Sequence, residues 1–488
     1  MTASLRESVK KAVAWRSGSQ MLAQLATWST TLIVIRILNP EDYGLFAMSQ
    51  VVIVFLNFLA GYGFASSLVQ EKNLTRDRIR QAFGLLLLVN AALALIQIFA
   101  APLVAAYYRT PEVADLLRVQ ALVYLSTPFI ALPEALLARN LDFRRPALAN
   151  LCATAVAVIV ALYCAINGYG VWTLVLAPLC AFWTRGIALM IAARFSYWPS
   201  FDMRGVGAMW NFGLMLLANQ FFWTVMTQAD IFIGGRILSK ESLGYYAEAL
   251  MLTGLIAFKF VPALNEVAFP AYASLRDDPA ALRHSFLKAV RLIMLATAPL
   301  FFGIAATAPE IVAVVLGGKW LGMIPLVQVI ALGMPAVTLY SLFAPVINAK
   351  GMPSINAKSS AVGACLIVPG YIVAVQFGAI GLAWVWVLGF PVLPLSAYLM
   401  SRRHLQVGDQ AMLAALLPGI GAAAIMALLV VGLSDLLPIE SPFLRLPILI
   451  AAGGAIYGGV LFMVARRTLL EMVSLVFRRD PTALQLPG

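Results

Sequence analysis

Stretches of about 20 predominantly apolar residues follow one another almost from end to end of the chain, parted by short clusters of charge, Pro and Gly. A helix needs about that many apolar residues to cross the hydrocarbon layer of a bilayer, so each stretch predicts one membrane span. Seven are read at 18–38, 44–69, 82–108, 117–138, 147–166, 171–193 and 210–238. Seven more are read at 244–272, 287–307, 323–347, 355–377, 381–400, 412–433 and 446–465. The predicted fold class is an all-α membrane protein of about 14 transmembrane helices.

Two of these spans carry polar residues at helical spacing. In the first, Ser17, Gln20, Gln24, Thr27 and Thr31 recur every three or four positions, and in the seventh Asn211, Asn219, Trp223, Thr227 and Asp230 do the same. Such spacing places each set on one face of its helix. Either the two stripes line opposite walls of one cavity, or they hydrogen-bond to neighbouring helices in a dry core.

With 62% hydrophobic and 11% charged residues, the composition excludes a soluble globular domain of this size. The net charge of +12 would suit nucleic acid if it were gathered on one face of a domain. It is instead spread over the connections at regular intervals. Lys and Arg favour the cytoplasmic side of short connections. Of the 34 Lys and Arg, Arg185 and Lys259 lie within spans, and Arg36, Arg109, Arg118, Arg236, Lys240, Lys319 and Arg445 fall on the far side; all the others fall on the cytoplasmic side. The alternation never breaks, which predicts an even number of spans with both termini cytoplasmic. The basic, amphipathic stretch 4–15 is read as lying on the inner leaflet. All four Cys fall within spans, where a lone Cys acts as a small apolar residue.

The chain also repeats itself. Arg36-Ile37-Leu38 with Glu41 and Gly44 recurs 200 positions later as Arg236-Ile237-Leu238 with Glu241 and Gly244. Pro102, Gln120 and Asn140 match Pro309, Gln328 and Asn348, with the shift grown to about 208. Six spans separate the copies, so both enter the membrane in the same direction. The organisation predicted is a cytoplasmic amphipathic segment (1–17), a six-helix bundle (18–200), a second six-helix bundle (201–405), two additional helices (406–466) and a cytoplasmic tail (467–488).

The segment Asp230-Ile231-Phe232-Ile233-Gly234-Gly235-Arg236, continuing to Gly244-Tyr245-Tyr246, resembles the seventh-span motif of polysaccharide flippases. Its first-half version, Arg36 to Phe46, together with Asn140-Leu141-Asp142-Phe143-Arg144, resembles the Wzx-type exporters of colanic acid, xanthan and succinoglycan units. The superfamily includes lipid II flippases and multidrug and toxin extruders. The resemblance implies a two-lobed, V-shaped bundle in the bacterial inner membrane. By alternating access it would flip an undecaprenyl-pyrophosphate-linked oligosaccharide to the periplasmic leaflet. The implied partners are that lipid-linked substrate, membrane lipids and a polysaccharide polymerase, and no nucleic acid. One departure stands out: the arginine set that lipid II flippases carry in their first, second and eighth spans has no secure counterpart here.

Ionisable groups inside a bilayer cost at least about 2.5 to 3.5 kcal/mol each, which makes each a functional candidate. Lys259, deep in the eighth span, and Arg185, in the sixth, could pair with a pyrophosphate headgroup in transit. Lys259 could equally pair with Glu248 or Glu266, and Arg185 could snorkel to the interface. Arg36, Gln24, Asn219 and Trp223 complete the substrate-binding candidates, although Arg36 and Arg236 also suit a structural role at their hairpins. Asp230, with Thr227, is the candidate for coupling to H⁺ or Na⁺, its alternative being a permanent pair with Arg236 or a helix cap. No other cofactor and no metal is expected. His284 and His404 are read in loops without metal-ligand spacing. No connection is long enough for a soluble catalytic domain, which argues against an enzyme. A drug exporter is the rival within transport, and a membrane-embedded polymerase or ligase the rival outside it.

Overall fold

The computed structural model describes the backbone of residues 2–57, 75–140, 142–201 and 207–464. Side chains are described from Gly18 onward, except those of 207–220, 263, 266, 267 and 464. Among the described residues every regular element is helical. The chain runs through α1 (Thr2–Ile37), α2 (Pro40–Asn57), α3 (Arg76–Tyr108), α4 (Glu112–Gln120), α5 (Leu122–Arg139), α6 (Arg144–Ile166), α7 (Trp172–Ala192), α8 (Gly207–Ile237) and α9 (Lys240–Leu255). A π-helical turn, Ile256–Phe260, leads into α10 (Val261–Ser274), α11 (Pro279–Ala306), α12 (Ala308–Ile311) and α13 (Ile324–Ala349). The last helices are α14 (Pro353–Ala374), α15 (Gly378–Leu388), α16 (Val392–Leu405), α17 (Asp409–Leu436) and α18 (Pro442–Val464).

The protein is a multi-pass membrane protein. Among the described residues nine helical stretches are long and apolar enough to cross a bilayer, and one of them, Pro353–Leu405, holds two of the spans read from the sequence. The span read at 44–69 runs partly outside the described residues, the side chains of 210–220 in the span read at 210–238 lie outside them, and the tail 467–488 lies wholly outside them. The basic start departs from a separate surface segment, because α1 is continuous from Thr2 to Ile37. His284 and His404 also lie in helices rather than loops, in the second turn of α11 and the last turn of α16. Helices that cross the bilayer extend beyond it, and the polar turns at their ends read as loops in a hydropathy pattern.

Contacts divide the chain into two compact units, Met1–Ala247 and Glu248–Gly488. In the first, α6 packs along α1 and α7, α5 lies on α7, and α3 lies on α4 and α5. The far ends of α8 and α9 belong here because Ile231, Leu238 and Leu243 join Leu45, Met48, Tyr108 and Leu117 in one apolar cluster. In the second unit α11 packs on α13 and α17, α13 also contacts α10 and α15, and α17 contacts α18. The two last helices are integral to that core: Leu295 and Ala298 of α11 share a cluster with Met426 of α17 and Leu449 of α18. Arg445 pairs with Glu310 at 3.0 Å and the Tyr457 hydroxyl donates to the Leu295 carbonyl at 2.7 Å.

Local chemistry sets the helix ends. The Thr75 hydroxyl caps α3 by accepting from the Arg78 amide. Asp278 caps α11 through the Ala280 and Ala281 amides, with Pro279 at the first helical position. The repeat read from the sequence is realised at its hairpins: α1 and α8 end at Ile37 and Ile237, and α2 and α9 begin at Pro40 and Lys240. Glu41 and Glu241 sit in the first turns that follow, where the helix dipole favours an acid. Pro102 and Pro309 are not equivalent, however. Pro102 lies inside α3, whereas Pro309 belongs to α12, beyond the end of α11.

Candidate functional site

A polar cavity of about 490 Å³ opens inside the first unit among α1, α5, α6 and α7. Gln24 and Thr27 reach it from α1, Glu134 from α5, Asn150 and Thr154 from α6, and Arg185 from α7. Asp142 and Phe143, in the turn between α5 and α6, border it as well. α5 packs directly on α7, and α6 carries the chain back from the end of the one to the start of the other. Glu134 lies five residues before the end of α5 and Arg185 seven before the end of α7. At 1.5 Å per residue both therefore stand roughly 8 to 10 Å in from the same end.

Arg185 and Glu134 form an ion pair. One terminal nitrogen of Arg185 donates to both carboxylate oxygens of Glu134, at 2.9 and 3.0 Å. The side chains keep 31% and 41% of their exposure, so the pair faces the cavity rather than being sealed in protein. A guanidinium carries five N–H donors on three nitrogens, and Glu134 engages one nitrogen only. Arg185 Nε is buried and has no hydrogen-bond partner among the described residues, and the second terminal nitrogen, Nη1, is left unengaged by Glu134. The cation is thus held by one acid while keeping donors for a second anion.

The polar stripe of α1 is only partly available. Thr27 and Thr31 donate back to the carbonyls of Ala23 and Thr27 in their own helix, at 2.8 and 2.9 Å. Gln24 is exposed. On α8, Thr227 likewise donates to the Trp223 carbonyl at 3.0 Å. The Asn219 side chain lies outside the described residues.

Asp230 is completely buried in the first unit. It accepts from the Tyr246 hydroxyl of α9 at 2.7 Å and from the Ile231 amide at 2.7 Å. It does not pair with Arg236. Six residues turn an α-helix by about 600°, which points the two side chains to different sides. Arg236 instead donates to the Tyr107 carbonyl at 2.7 Å and lies 4.9 Å from the Tyr107 ring centroid. Arg36 is exposed at the end of α1 and is not among the residues lining the cavity.

Lys259 belongs to the second unit and stands in the π-helical turn Ile256–Phe260, between Gly254 and Pro262. Its side chain is exposed and makes no hydrogen bond or ion pair among the described residues. Glu248 is buried and bonds to nothing through Oε2 among the same residues, so the Lys259–Glu248 pair does not form. The Glu266 side chain lies outside the described set.

A family model described as polysaccharide biosynthesis protein matches residues 33–325, more than half of the chain. The chain belongs to this family. It is 24% identical over 350 residues to the succinoglycan biosynthesis transport protein ExoT of Rhizobium meliloti, covering 71% of each chain. It is 22% identical over 394 residues to the lipopolysaccharide biosynthesis protein WzxC of Escherichia coli K12, covering 79% of this chain and 78% of that one. Among solved structures, the lipid II flippase MurJ in an inward closed conformation superposes with a TM-score of 0.75 over 93% of this chain and 99% of its own, at 15% identity. That likeness is one of fold. The resemblance to Wzx-type polysaccharide transporters read from residues 36–46 and 230–246 holds.

The cavity brings Gln24, Thr27 and Arg185 together with Glu134, Asn150 and Thr154, three residues that sequence reasoning passed over. Glu134 carried a signal, since an acid inside a predicted span is as costly as a base there. Counting acids as well as bases would have found it.

Proposed function

We propose that the protein carries undecaprenyl-pyrophosphate-linked oligosaccharide repeat units from the cytoplasmic to the periplasmic leaflet of the inner membrane by alternating access, with both of its termini cytoplasmic. It would serve exopolysaccharide, capsule or O-antigen assembly, working beside a polysaccharide polymerase. The observation that carries this reading is the Arg185–Glu134 pair in the polar cavity of the first unit.

A pyrophosphate approaching Arg185 offers more charge than a carboxylate and fits the planar donor set of a guanidinium. It displaces Glu134, and Gln24, Asn150 and Thr154 supply hydrogen-bonding groups for the adjoining sugar. Glu134 reclaims Arg185 when the headgroup leaves, which keeps an unpaired cation from standing in the membrane. Lys259, an exposed cation in its own unit, provides a second point of contact along the path. Asp230, bonded to Tyr246, takes up H⁺ or Na⁺ and couples transport to the gradient.

Deleting the gene should leave lipid-linked repeat units on the cytoplasmic leaflet and stop polymer export. A chain carrying Arg185→Ala should fail to restore export at a normal protein level. Unchanged lipid intermediates together with raised sensitivity to toxic amphiphiles would instead mark a drug exporter.

A further inference from the structure

Four of the seven basic residues that lie opposite the main basic clusters gather at one turn of the first unit, between α3 and α4. Three are engaged there. Arg236 bonds the Tyr107 carbonyl at 2.7 Å, Lys240 pairs with Glu112 at 2.9 Å, and Arg118 pairs with Asp115 at 2.9 Å. The guanidinium of Arg109 has no hydrogen-bond or ion-pair partner among the described residues. Arg109 closes α3 at φ 55°, a left-handed conformation that favours glycine, and its side chain is exposed.

Beside it runs an open groove of about 580 Å³, floored by Pro102, Ala105 and Ala106 of α3 and edged by Asp115 and Arg118 of α4. Further along α3, Phe99 and Leu103 are 72% and 74% exposed, as side chains facing acyl chains would be. The 33 residues of α3 span roughly 50 Å, more than the ~30 Å hydrocarbon layer, so its ends emerge among lipid headgroups.

We infer that this groove binds an anionic phospholipid of the leaflet at that end, its phosphodiester held between Arg109 and Arg118 and the start of an acyl chain lying along Pro102 and Ala106. Within the lining of the groove the charges of Arg109, Arg118 and Asp115 leave one positive charge, which matches a single phosphodiester, while Arg236 lies outside the lining and is turned to the Tyr107 carbonyl and ring. A zwitterionic lipid brings an ammonium of its own, and a pyrophosphate brings more charge than the site balances. The inference is independent of what the protein transports.

The full-length protein in mild detergent, titrated with phosphatidylglycerol, phosphatidylethanolamine or undecaprenyl pyrophosphate and read by native mass spectrometry, tests it. Wild type should retain phosphatidylglycerol in preference to the other two. Arg109→Gln should weaken phosphatidylglycerol binding about fivefold, and Arg109→Lys should keep most of it. Ala106→Trp, which fills the groove without touching a charge, should lose it as well while melting at the wild-type temperature. Unchanged phosphatidylglycerol binding by Arg109→Gln or by Ala106→Trp would overturn the site. Equal retention of phosphatidylethanolamine, or stronger retention of undecaprenyl pyrophosphate, would overturn its assignment to an anionic phospholipid.

Discussion

Gly44 and Gly244, 200 positions apart in sequence, face each other where α2 crosses α9. A methyl group on Gly44 would collide with the Lys240 carbonyl and one on Gly244 with the Pro40 carbonyl, so each glycine fits against the other copy's hairpin. The internal repeat therefore ends in a reciprocal backbone contact. Gly44→Ala and Gly244→Ala should each force the helices apart and cost on the order of 1 to 3 kcal/mol, read as a lower melting temperature in detergent. Both changes disturb one contact, so the double variant should lose less than the sum of the singles. Wild-type melting of both single variants would remove the crossing as a fixed point of the fold.

The buried Asp230–Tyr246 bond sets a second expectation. Tyr246→Phe removes the hydroxyl donor and leaves a carboxylate oxygen without a partner in a dry site, at a cost of about 1 to 3 kcal/mol. Asp230→Asn keeps a polar group of the same shape and should fold. Flux in vesicles with imposed H⁺ or Na⁺ gradients should lose its gradient dependence in Asp230→Asn. Undiminished gradient dependence in that variant would leave Asp230 a structural acceptor for Tyr246.

Lys259 gives a third. Lys259→Ala should abolish export at normal protein level, and Lys259→Arg, which keeps the charge on a bulkier head, should retain part of it. Full export by the Ala variant would remove Lys259 from the path.

The repeat at the two hairpins was readable in the sequence because Arg, Glu and Gly at fixed offsets are rare in apolar spans. That Gly44 and Gly244 touch was not, since a repeat specifies equivalence and says nothing of contact. Arg185 stood out as a base within a span. Glu134 was passed over because within the first six spans only bases were weighed, and its partner lies 51 positions away on another helix. For Asp230, proximity along the chain suggested Arg236. Packing of α8 against α9 supplied Tyr246 instead, a pairing that no spacing within one helix encodes.

Orientation rests on the basic residues and has its own check. Single Cys residues at Thr75 and Asp142 should be shielded from impermeant thiol reagents in intact cells, and single Cys residues at Asp42 and Ser242 should react. The reverse pattern would invert the direction of transport proposed.

The central claim is that Arg185, held by Glu134, receives the anionic headgroup of a lipid-linked oligosaccharide. Vesicles containing purified protein and a labelled lipid-linked repeat unit, probed by an impermeant sugar-modifying reagent, measure its movement between leaflets. Wild type should move the label well above the rate in protein-free vesicles, and Arg185→Ala should fall to that background while melting within a few degrees of wild type. Exchanging the pair, Glu134→Arg with Arg185→Glu, should restore stability without restoring movement, because the cation then stands on the wrong helix. Movement by Arg185→Ala at the wild-type rate would contradict the claim.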